Sequence, residues 1–243
     1  MEQLLTLTKG FTGNLLLTYR DYNEDRVKVM LNIPSPKLDI DWPIVNYFAV
    51  FDGHGGSNCV QFVQENLHEY IFTNKHFPQD VRLAISESFF LVEQKFKEIS
   101  NMRSETSGTC VCMVITVDND CYVVNLGDSR AVYSESFLSK LFYLTTDHKP
   151  SNEAEKARIQ YSGGRIYQYI SFKYIRNEVL VNGKSVMGPV RVEPGNLSVS
   201  RALGDFDAKL PELGGKPNIV ISSPEIISFK LTTESDCLII ACN

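Results

Sequence analysis

Acidic residues stand in four short clusters along the chain, and these clusters are the residues best suited to carry out chemistry. They are Asn23-Glu24-Asp25-Arg26, Asp52-Gly53-His54-Gly55-Gly56, Gly127-Asp128-Ser129-Arg130 and Ser200-Arg201-Ala202-Leu203-Gly204-Asp205. Each cluster lies at a turn or at the end of an apolar, strand-like run. Binding residues concentrate at such positions, because a rigid scaffold holds them there. Their joint occurrence favours a functional site over four unrelated turns.

These oxygen-rich clusters are suited to a hard divalent metal. Carboxylate and carbonyl oxygens are the ligands that Mg²⁺ and Mn²⁺ prefer, and such ions usually keep several waters. The Asp52 side chain can bridge two ions, and the absence of a side chain on Gly53 lets its carbonyl approach one of them. Two ions about 4 Å apart can generate a hydroxide and neutralise a phosphoryl group. With Arg20 as a bidentate phosphate contact, the pattern predicts a two-metal site that acts on a phosphoryl group.

Each cluster also has a structural interpretation when it is taken alone. Asp-Gly is a common turn dipeptide, so Asp52-Gly53 alone would more often be a turn than a metal site. Glu24-Asp25 alone would be a solvated pair of loop residues. Asp128 could cap a turn and pair with Arg130, and His54 alone would be a turn histidine. The functional interpretation depends on the four clusters occurring together.

Two further motifs are not interpreted as sites. Gly214-Gly215-Lys216 is followed by Pro217 and lacks the spaced glycine of a phosphate-binding P-loop. Thr106-Ser107-Gly108-Thr109 could be a nucleophile loop, but the sequence suggests no nearby histidine and carboxylate that would activate it. We expect both segments to be structural.

The elements that would position the clusters are mostly strands. Apolar runs rich in β-branched and aromatic residues predict strands at Val45–Phe51, Cys110–Val117, Cys121–Leu126, Leu141–Leu144 and Cys237–Ala241. Asp118-Asn119-Asp120 predicts a hairpin turn between the second and third of these strands. Together they favour a largely antiparallel sheet system.

Helical periodicity marks two long stretches and one short one. With Ser57 as N-cap, apolar residues recur on one face as far as Tyr70-Ile71. A second apolar face repeats between Val81 and Ile99, over about five turns. The short helix is expected to start near Asn152, with Glu155 in the position of a capping box, and to end by residues 163–164.

The order of these elements predicts one α+β domain over residues 1–243. The stretch 165–196 is predicted to be irregular, and its length indicates a flap or an insertion. The net charge of −5 argues against a nucleic-acid-binding surface, and no apolar run approaches the length of a membrane span. Six cysteines without a CxxC pair, and an N-terminus unlike a secretory signal, predict reduced thiols in a cytoplasmic or nuclear protein.

Six strings of the sequence are typical of one known family and occur in that family's order. They are Asn23-Glu24-Asp25-Arg26, Phe48-Ala49-Val50-Phe51-Asp52-Gly53-His54-Gly55-Gly56, Ser107-Gly108-Thr109, Asn125-Leu126-Gly127-Asp128-Ser129-Arg130-Ala131, Asp147-His148-Lys149-Pro150 and Leu197-Ser198-Val199-Ser200-Arg201-Ala202-Leu203-Gly204-Asp205. On these motifs the chain resembles the metal-dependent protein phosphatases, that is, the type 2C serine/threonine protein phosphatases. The strings cover nearly the whole chain, which makes the resemblance specific.

The resemblance implies a fold and an activity. The fold is a four-layer α-β-β-α sandwich of two antiparallel sheets flanked by helices, with a metal cleft at one edge of the sheets. The activity is hydrolysis of phosphoserine and phosphothreonine in proteins by a metal-bound hydroxide. It would use two Mg²⁺ or Mn²⁺ ions, with a third, weaker ion in many members. Phosphoprotein substrates are therefore expected, with no nucleic-acid or membrane partner, and the chain is expected to be monomeric.

The resemblance also implies residue roles by matching position. The metal ligands are Glu24, Asp25, Asp52, the Gly53 carbonyl and, for the third ion, Asp128. His54 matches the proposed general acid that protonates the leaving seryl or threonyl oxygen, and an imidazole titrates close to working pH. Arg20 matches the phosphate-binding arginine, and the flap is expected to influence the choice of substrate or partner.

The sequence departs from the family pattern at its last residues. The family places a metal-binding aspartate where this chain has Asn243, and an amide oxygen carries no charge, so weaker metal binding is expected there. The family's core continues beyond this strand, so a C-terminally incomplete domain that lacks its last elements is expected. Two alternatives to an active phosphatase stay open. One is a pseudophosphatase that acts as a binding scaffold, and the other is a phosphate-binding regulatory module anchored by Arg20.

Overall fold

The structure is a computed structural model that describes residues 23–36, 42–100, 105–135, 140–171 and 186–242. Its strands are β1 (Arg26–Met30), β2 (Val45–His54), β3 (Gly108–Val117), β4 (Asp120–Leu126), β5 (Arg130–Glu135), β6 (Lys140–Tyr143), β7 (Arg165–Ser171), β8 (Val186–Glu193), β9 (Leu203–Gly204), β10 (Glu225–Lys230) and β11 (Ser235–Ala241). Its helices are α1 (Asn58–Thr73), α2 (Val81–Ile99), α3 (Glu153–Tyr161) and α4 (Phe206–Lys209), with a 3₁₀ turn at Pro211–Leu213.

The strands form a larger sheet, a smaller sheet and a separate hairpin. The larger sheet has the order β1-β2-β3-β4-β10, and the two-residue strand β9 pairs with β3 beside this path. The smaller sheet has the order β11-β5-β6, and β7 pairs with β8. These pairs are antiparallel. The predicted mixture of helices and antiparallel sheets is confirmed.

The larger sheet is covered on both faces, because successive side chains of a strand point to opposite sides. In β3, Val111 and Met113 join the core beneath α1 and α2. Their neighbours Cys112 and Val114 join a second core with Ala131 of the smaller sheet. Helices, larger sheet and smaller sheet therefore form three packed layers. The described residues do not establish a fourth, helical layer, so the four-layer sandwich stays a prediction.

The five predicted strands are confirmed as β2, β3, β4, β6 and β11, with bounds that differ by a few residues at most. The predicted hairpin turn is also confirmed, and Asp118 occupies it with a φ of 50°. Strand β2 continues three residues beyond the predicted end at Phe51, as far as His54. Asp52 and Gly53 therefore lie in a strand, and the turn interpretation of this dipeptide is wrong.

The stretch 165–196 is more regular than predicted. Strands β7 and β8 form an antiparallel hairpin with a register shift near Gln168. The prediction of irregular structure is therefore wrong at both ends of the stretch, where β-branched and aromatic residues alternate with polar ones. Residues 172–185 lie outside the described residues.

The predicted long helices are confirmed, but their N-termini are capped differently. Ser57 occupies the N-cap position of α1 and makes no side-chain capping hydrogen bond. Instead, the backbone N–H of Cys59 donates to the hydroxyl of Ser107, at 3.0 Å. At α2 the Asp80 carboxylate accepts a hydrogen bond from the N–H of Leu83, at 3.0 Å. None of the described helices has the length and apolar character needed to cross a membrane.

Replacing Asp80 with alanine should lower the free energy of unfolding by about 1 kcal/mol, because the Leu83 N–H loses its acceptor. Ser57→Ala is the matched control at the start of α1. It should change the free energy of unfolding by less than about 0.5 kcal/mol, because the Ser57 side chain caps nothing. Urea unfolding of the wild type and both variants measures the difference. Equal losses in the two variants would contradict the capping assignment.

Candidate active site

Two of the acidic clusters meet where strands β1 and β2 lie side by side. Because the strands are antiparallel, the residues just before β1 face the end of β2. The first set is Glu24 and Asp25, and the second is Asp52 and Gly53. The approach is close, since a Cβ atom on Gly53 would lie 2.5 Å from the carbonyl oxygen of Glu24. Glycine is therefore required at this point, and the backbone segments that carry four of the predicted metal ligands lie side by side.

Glu24 is buried and has a defined hydrogen-bond partner. Only 8% of its surface is exposed. Its Oε1 accepts a hydrogen bond from the backbone N–H of Gly56, at 2.7 Å. The alternative of a solvated loop pair is therefore wrong for Glu24, while Asp25 is half-buried.

His54, the last residue of β2, contacts a second carboxylate, that of Asp205. The Nε2 atom of His54 lies 2.9 Å from both carboxylate oxygens of Asp205. Gly108 of β3 is the register partner of His54. A Cβ atom on Gly108 would lie 2.2 Å from Asp205 Oδ2 and 2.5 Å from His54 Nε2. The histidine and the carboxylate therefore pack against a position that only glycine can occupy, and the interpretation of His54 as a turn histidine is wrong.

Asp205 is placed by the short strand β9. In that strand Gly204 pairs with Gly108 of β3, and the backbone N–H of Asp205 donates to the carbonyl of Ser107 at 3.1 Å. Asp205 itself has φ 50° and ψ 48°, a left-handed conformation that aspartate tolerates better than most residues. The chain therefore leaves the sheet at Asp205, whose side chain is buried.

The surroundings of His54 favour its charged form. Burial lowers the pKa of His54, but the Asp205 carboxylate raises it, and Asp52 and Glu24 add smaller effects in the same direction. The net result is a raised pKa. Because Nε2 is directed at Asp205, Nδ1 is the ring nitrogen that remains to exchange a proton with another group.

The loop before β3 is held by hydrogen bonds at its serine. The Ser107 hydroxyl donates to Glu105 Oε1 at 2.5 Å and accepts from the N–H of Cys59 at 3.0 Å. The expectation that no histidine and carboxylate lie near this loop is wrong, because the His54–Asp205 pair packs against it. Ser107 is buried and engaged as both donor and acceptor, so it is a structural residue and not a nucleophile.

Asp128 follows β4 and is engaged by a lysine. The Nζ atom of Lys149 lies 3.3 Å from Asp128 Oδ2 and 3.0 Å from Asp147 Oδ2. Arg130, the partner considered from the sequence, instead donates two hydrogen bonds to Asp147, each of 2.8 Å. The pairing of Asp128 with Arg130 is therefore wrong, because the register of the following segment brings Asp147 to that arginine.

Cys110 shows that Asp128 lies at the same edge of the sheet as Asp52. In the register of β2 and β3, Cys110 is the partner of Asp52. Its Sγ lies 3.9 Å from Oδ1 of Asp128. Burial raises the pKa of the Cys110 thiol, and Asp128 and then Asp52 raise it further. Three of the four acidic clusters are therefore neighbours, and His54 connects them to the fourth.

His148 ties the loop that carries Asp128 to the segment that leads to Asp205. Its backbone N–H donates to the carbonyl of Gly127 at 2.9 Å, and its Nδ1 accepts from the N–H of Gly127 at 3.1 Å. Its own carbonyl accepts from the N–H of Ser200 at 2.9 Å. Burial lowers the pKa of His148 to about 4, assisted by the positive charge of Arg201. The imidazole is therefore neutral near pH 7.

Glu155 of α3 is a buried anchor for the same segment. Its carboxylate accepts hydrogen bonds from Ser200 Oγ at 2.5 Å, Arg158 at 2.6 Å and Arg201 at 2.7 Å. Burial raises the pKa of Glu155, but these donors lower it to about 2. The predicted capping box is therefore half wrong. Asn152 does cap α3, whereas the Glu155 carboxylate binds Arg158 of the same helix and Ser200 and Arg201. Hydrogen bonds to two charged arginines are stronger than one to a backbone N–H.

The predicted metal site fits a hard divalent cation in its chemistry. Its donors are carboxylates beside a strand end where the absence of a Cβ on Gly53 allows close approach. Asp25 and Asp52 also lie near the Cys242 thiol; burial and then these carboxylates raise the pKa of Cys242 to about 11. Within the described residues, however, no three histidine, cysteine or acidic side chains are grouped so as to hold a metal ion. Arg20 and Asn243 lie outside the described residues.

Comparison with known proteins decides the family. The model of the protein phosphatase 2C family matches residues 18–243. The chain belongs to the protein phosphatase 2C family. It is 32% identical over 224 residues to protein phosphatase 2C homolog 2 of Hypocrea jecorina, and 33% identical over 224 residues to a probable protein phosphatase 2C of Caenorhabditis elegans. Each alignment covers 90% of this chain, but only 46% and 54% of the two relatives. The chain spans about half the length of the curated relatives it matches.

Solved structures show the same fold. A serine-threonine phosphatase 2C from Toxoplasma gondii has a TM-score of 0.66 at 19% identity, over 91% of this chain and 73% of that chain. A sex determining protein of C. elegans has a TM-score of 0.67 at 22% identity, over 92% of this chain and 48% of that chain. At these identities the likeness concerns the fold alone.

One functional candidate of this phosphatase-family chain was missed by sequence reasoning. Asp205 ends a motif typical of the family, but the sequence offers no reason to connect it with His54, since 151 positions separate them. The available signals were the two glycines that flank the contact. Gly108 precedes the predicted strand Cys110–Val117 by two residues, and Gly204 directly precedes Asp205; a glycine at such a position often marks a close approach of the backbone.

Glu155→Gln should lower the free energy of unfolding by about 3 kcal/mol, because two partly buried arginines lose their shared counter-charge. Glu153→Gln, two residues earlier in the same helix, is the matched control. Its side chain is 88% exposed, so we expect a change below about 0.5 kcal/mol. Chemical unfolding monitored by circular dichroism compares the two. A small effect of Glu155→Gln would show that the 200–201 segment does not depend on this carboxylate.

Stability should also fall as the pH is lowered from 6.5 towards 4. The pKa of His148 is depressed from 6.5 to about 4 in the folded chain, so the unfolded chain takes up a proton first. This linkage would weaken folding by up to about 1.4 kcal/mol per pH unit within that window. In His148→Asn an amide oxygen replaces Nδ1 as the hydrogen-bond acceptor. The slope of the free energy of unfolding against pH should then decrease by an amount that corresponds to about one proton. Urea unfolding at a series of pH values tests this, and an unchanged slope would contradict it.

Proposed function

We propose that this chain is the catalytic domain of a protein serine/threonine phosphatase that removes phosphate from phosphoserine and phosphothreonine in proteins. The observation that carries the proposal is the meeting of Glu24 and Asp25 with the strand end that bears Asp52, Gly53 and His54. Carboxylates for a cation and an imidazole for a proton then lie at one edge of a sheet. The family membership of the chain supports the same activity.

Glu24, Asp25, Asp52 and the Gly53 carbonyl would hold Mg²⁺ or Mn²⁺, on which the family generally depends. When bound, two such ions would activate a water molecule and neutralise negative charge on the phosphoryl group. A third, weaker ion would use Asp128, after Lys149 releases it. Asn243 would supply only an amide oxygen to the opposite side of the site.

His54 would supply a proton to the leaving seryl or threonyl oxygen. The Nε2–H of His54 donates to Asp205, which fixes the ring and favours the imidazolium. Nδ1 would then be the nitrogen that delivers the proton. An alkoxide is a poor leaving group, so this transfer removes a large part of the cost of breaking the phosphate ester bond. Arg20 would bind the phosphate oxygens in a bidentate contact.

The remaining architectural expectations belong to the same proposal. The chain would be a single phosphatase domain, residues 1–243, that contributes to a four-layer sandwich. The 165–196 hairpin would act as a flap in substrate or partner choice. We propose a monomer in the cytoplasm or nucleus, without nucleic-acid or membrane partners.

A pseudophosphatase that acts as a binding scaffold is the second candidate. Two observations favour it. Asn243 stands where the family resemblance implies a charged ligand, and no grouped metal site is present among the described residues. A scaffold of this kind would keep the fold while binding metal weakly.

Release of phosphate from a phosphothreonine peptide in the presence of Mn²⁺ or Mg²⁺ tests the proposal. We expect activity that is lost on chelation and falls at least about 100-fold in Asp52→Asn, because a carboxylate that would hold the metal is removed. Asp120→Asn is the matched control, since this carboxylate stands in an exposed pair with Lys230 at 3.4 Å. It should leave activity within about twofold.

Calorimetry with Mn²⁺ separates the two candidates. Tight metal binding together with hydrolysis supports the phosphatase, whereas weak or absent metal binding without hydrolysis supports the scaffold. Equal hydrolysis by Asp52→Asn, or hydrolysis with the metal chelated, would refute the proposed metal-dependent mechanism.

A further inference from the structure

Glu93 is a buried carboxylate on the apolar face of α2. It is 6% exposed, and its neighbours Phe89, Val92 and Phe96 are almost completely buried in the main core. An ionised group at such a position is costly unless it is paired and hydrogen-bonded. The contacts of the Glu93 carboxylate therefore indicate which part of the structure this side chain holds in place.

Both oxygens of Glu93 contact the segment that carries Asp205. Oε2 accepts a hydrogen bond from the backbone N–H of Gly204, at 2.8 Å. Oε1 forms an ion pair with Nζ of Lys209, at 2.5 Å. The same Nζ donates to the carbonyl of Ala202 at 2.8 Å. Glu93 and Lys209 thus hold the segment on both sides of Asp205.

The segment has few internal contacts of its own that could fix it. Strand β9 is two residues long, and α4 is a single turn. Between them Asp205 takes a left-handed conformation, which is uncommon for a residue other than glycine. The ring of Phe206 stacks on Phe96 of α2, with centroids 5.7 Å apart. Helix α2 therefore supplies both a polar and an apolar anchor to this turn.

The position of Asp205 must be fixed, because its contact with His54 tolerates little movement. Both carboxylate oxygens lie 2.9 Å from His54 Nε2, against the backbone of Gly108. A shift of the turn by one ångström would lengthen these contacts beyond hydrogen-bond range. The orientation of the imidazole would then no longer be defined.

We propose that Glu93, together with Lys209, is a positioning residue that sets Asp205 and, through it, the ring orientation of His54. The inference rests on the proposed phosphatase function for its kinetic consequence. It concerns residues that do not themselves touch the reacting atoms. Glu93 lies on a helix behind the sheet edge, so its effect is transmitted by the backbone of Gly204.

Four variants and one control test the proposal. Glu93→Ala removes both contacts of the carboxylate, and Lys209→Met removes the ion pair together with the hydrogen bond from Nζ to the Ala202 carbonyl. Glu93→Gln keeps an amide oxygen for the Gly204 N–H but loses the charge. The double variant Glu93→Gln/Lys209→Met keeps that oxygen without leaving a buried unpaired charge. Val92→Ala, at the adjacent fully buried residue of α2, lowers stability but keeps the contacts of Glu93 with Gly204 and Lys209.

Kinetics with a phosphothreonine peptide and Mn²⁺ form the first measurement. We expect Glu93→Ala to lower kcat roughly 10- to 100-fold, with KM changed less than about threefold, because the proton donor is misplaced while binding groups remain. The double variant should recover most of the kcat that Lys209→Met loses. Val92→Ala should keep kcat within about twofold despite its lower stability.

The second measurement does not require activity. Long-range ¹H–¹⁵N correlation spectra report the tautomer and hydrogen bonding of each imidazole, and the chain has four histidines. Glu93→Ala and Asp205→Asn should shift the ring nitrogens of His54 in the same direction, while Val92→Ala should not. If the wild type hydrolyses nothing, the proposed function fails and these shifts alone decide the positioning role.

Two results would overturn the proposed positioning role of Glu93. If Glu93→Ala matches Val92→Ala in kcat and leaves the His54 nitrogens unchanged, Glu93 only stabilises the fold. If Glu93→Ala does not fold, Lys209→Met and the double variant decide the question by the same two measurements. Absence of recovery in the double variant would also count against the proposal.

Discussion

The candidate site depends on one constraint, the antiparallel pairing of β3 with β2 on one side and with the two-residue strand β9 on the other. This pairing puts His54 and Gly204 on opposite sides of Gly108. Because Gly108 has no side chain, His54 and Asp205 can meet across it. Any residue with a Cβ at this position would separate the pair. The half of the site that we propose to bind metal depends on a similar contact, between Gly53 and the Glu24 backbone.

The buried carboxylates around the candidate site hold a loop segment in position, and they do not hold the apolar core together. Glu93 and Glu155 sit on different helices, and each binds backbone or side-chain donors of the segment between Ser200 and Lys209. The two carboxylates approach that segment from helices at different points of the chain. A segment with so little regular structure can be held rigidly only if its polar groups find fixed partners. Ion pairs thus hold this segment in position, as the backbone hydrogen bonds of a longer strand would.

Much of the fold and part of the site followed from the sequence. The strand β2 and the helix α2 were predictable, because β-branched runs and 3.6-residue periodicity are local signals. Glu24, Asp25 and Asp52 were predictable as candidates because they stand in acidic clusters at a turn or after a strand-like run, and the pairing of β1 with β2 places these clusters side by side. The partner of Asp128 was not predictable, since Lys149 and Arg130 are equally good cations and only the tertiary register assigns them. Asp205 was missed because its role depends on a contact across 151 positions.

The separation between His54 and Asp205 also has a consequence for how the chain folds. Closing a loop of that length costs conformational entropy that local contacts do not recover, so such contacts form late in folding. The turn that carries Asp205 has no stable structure of its own and gains it by docking on α2 and β3. The helices and the β2–β3–β4 meander can assemble before it. Acquisition of the His54–Asp205 contact would therefore report a late stage of folding, and a chain still emerging from the ribosome would lack it until residues beyond Lys209 had been made.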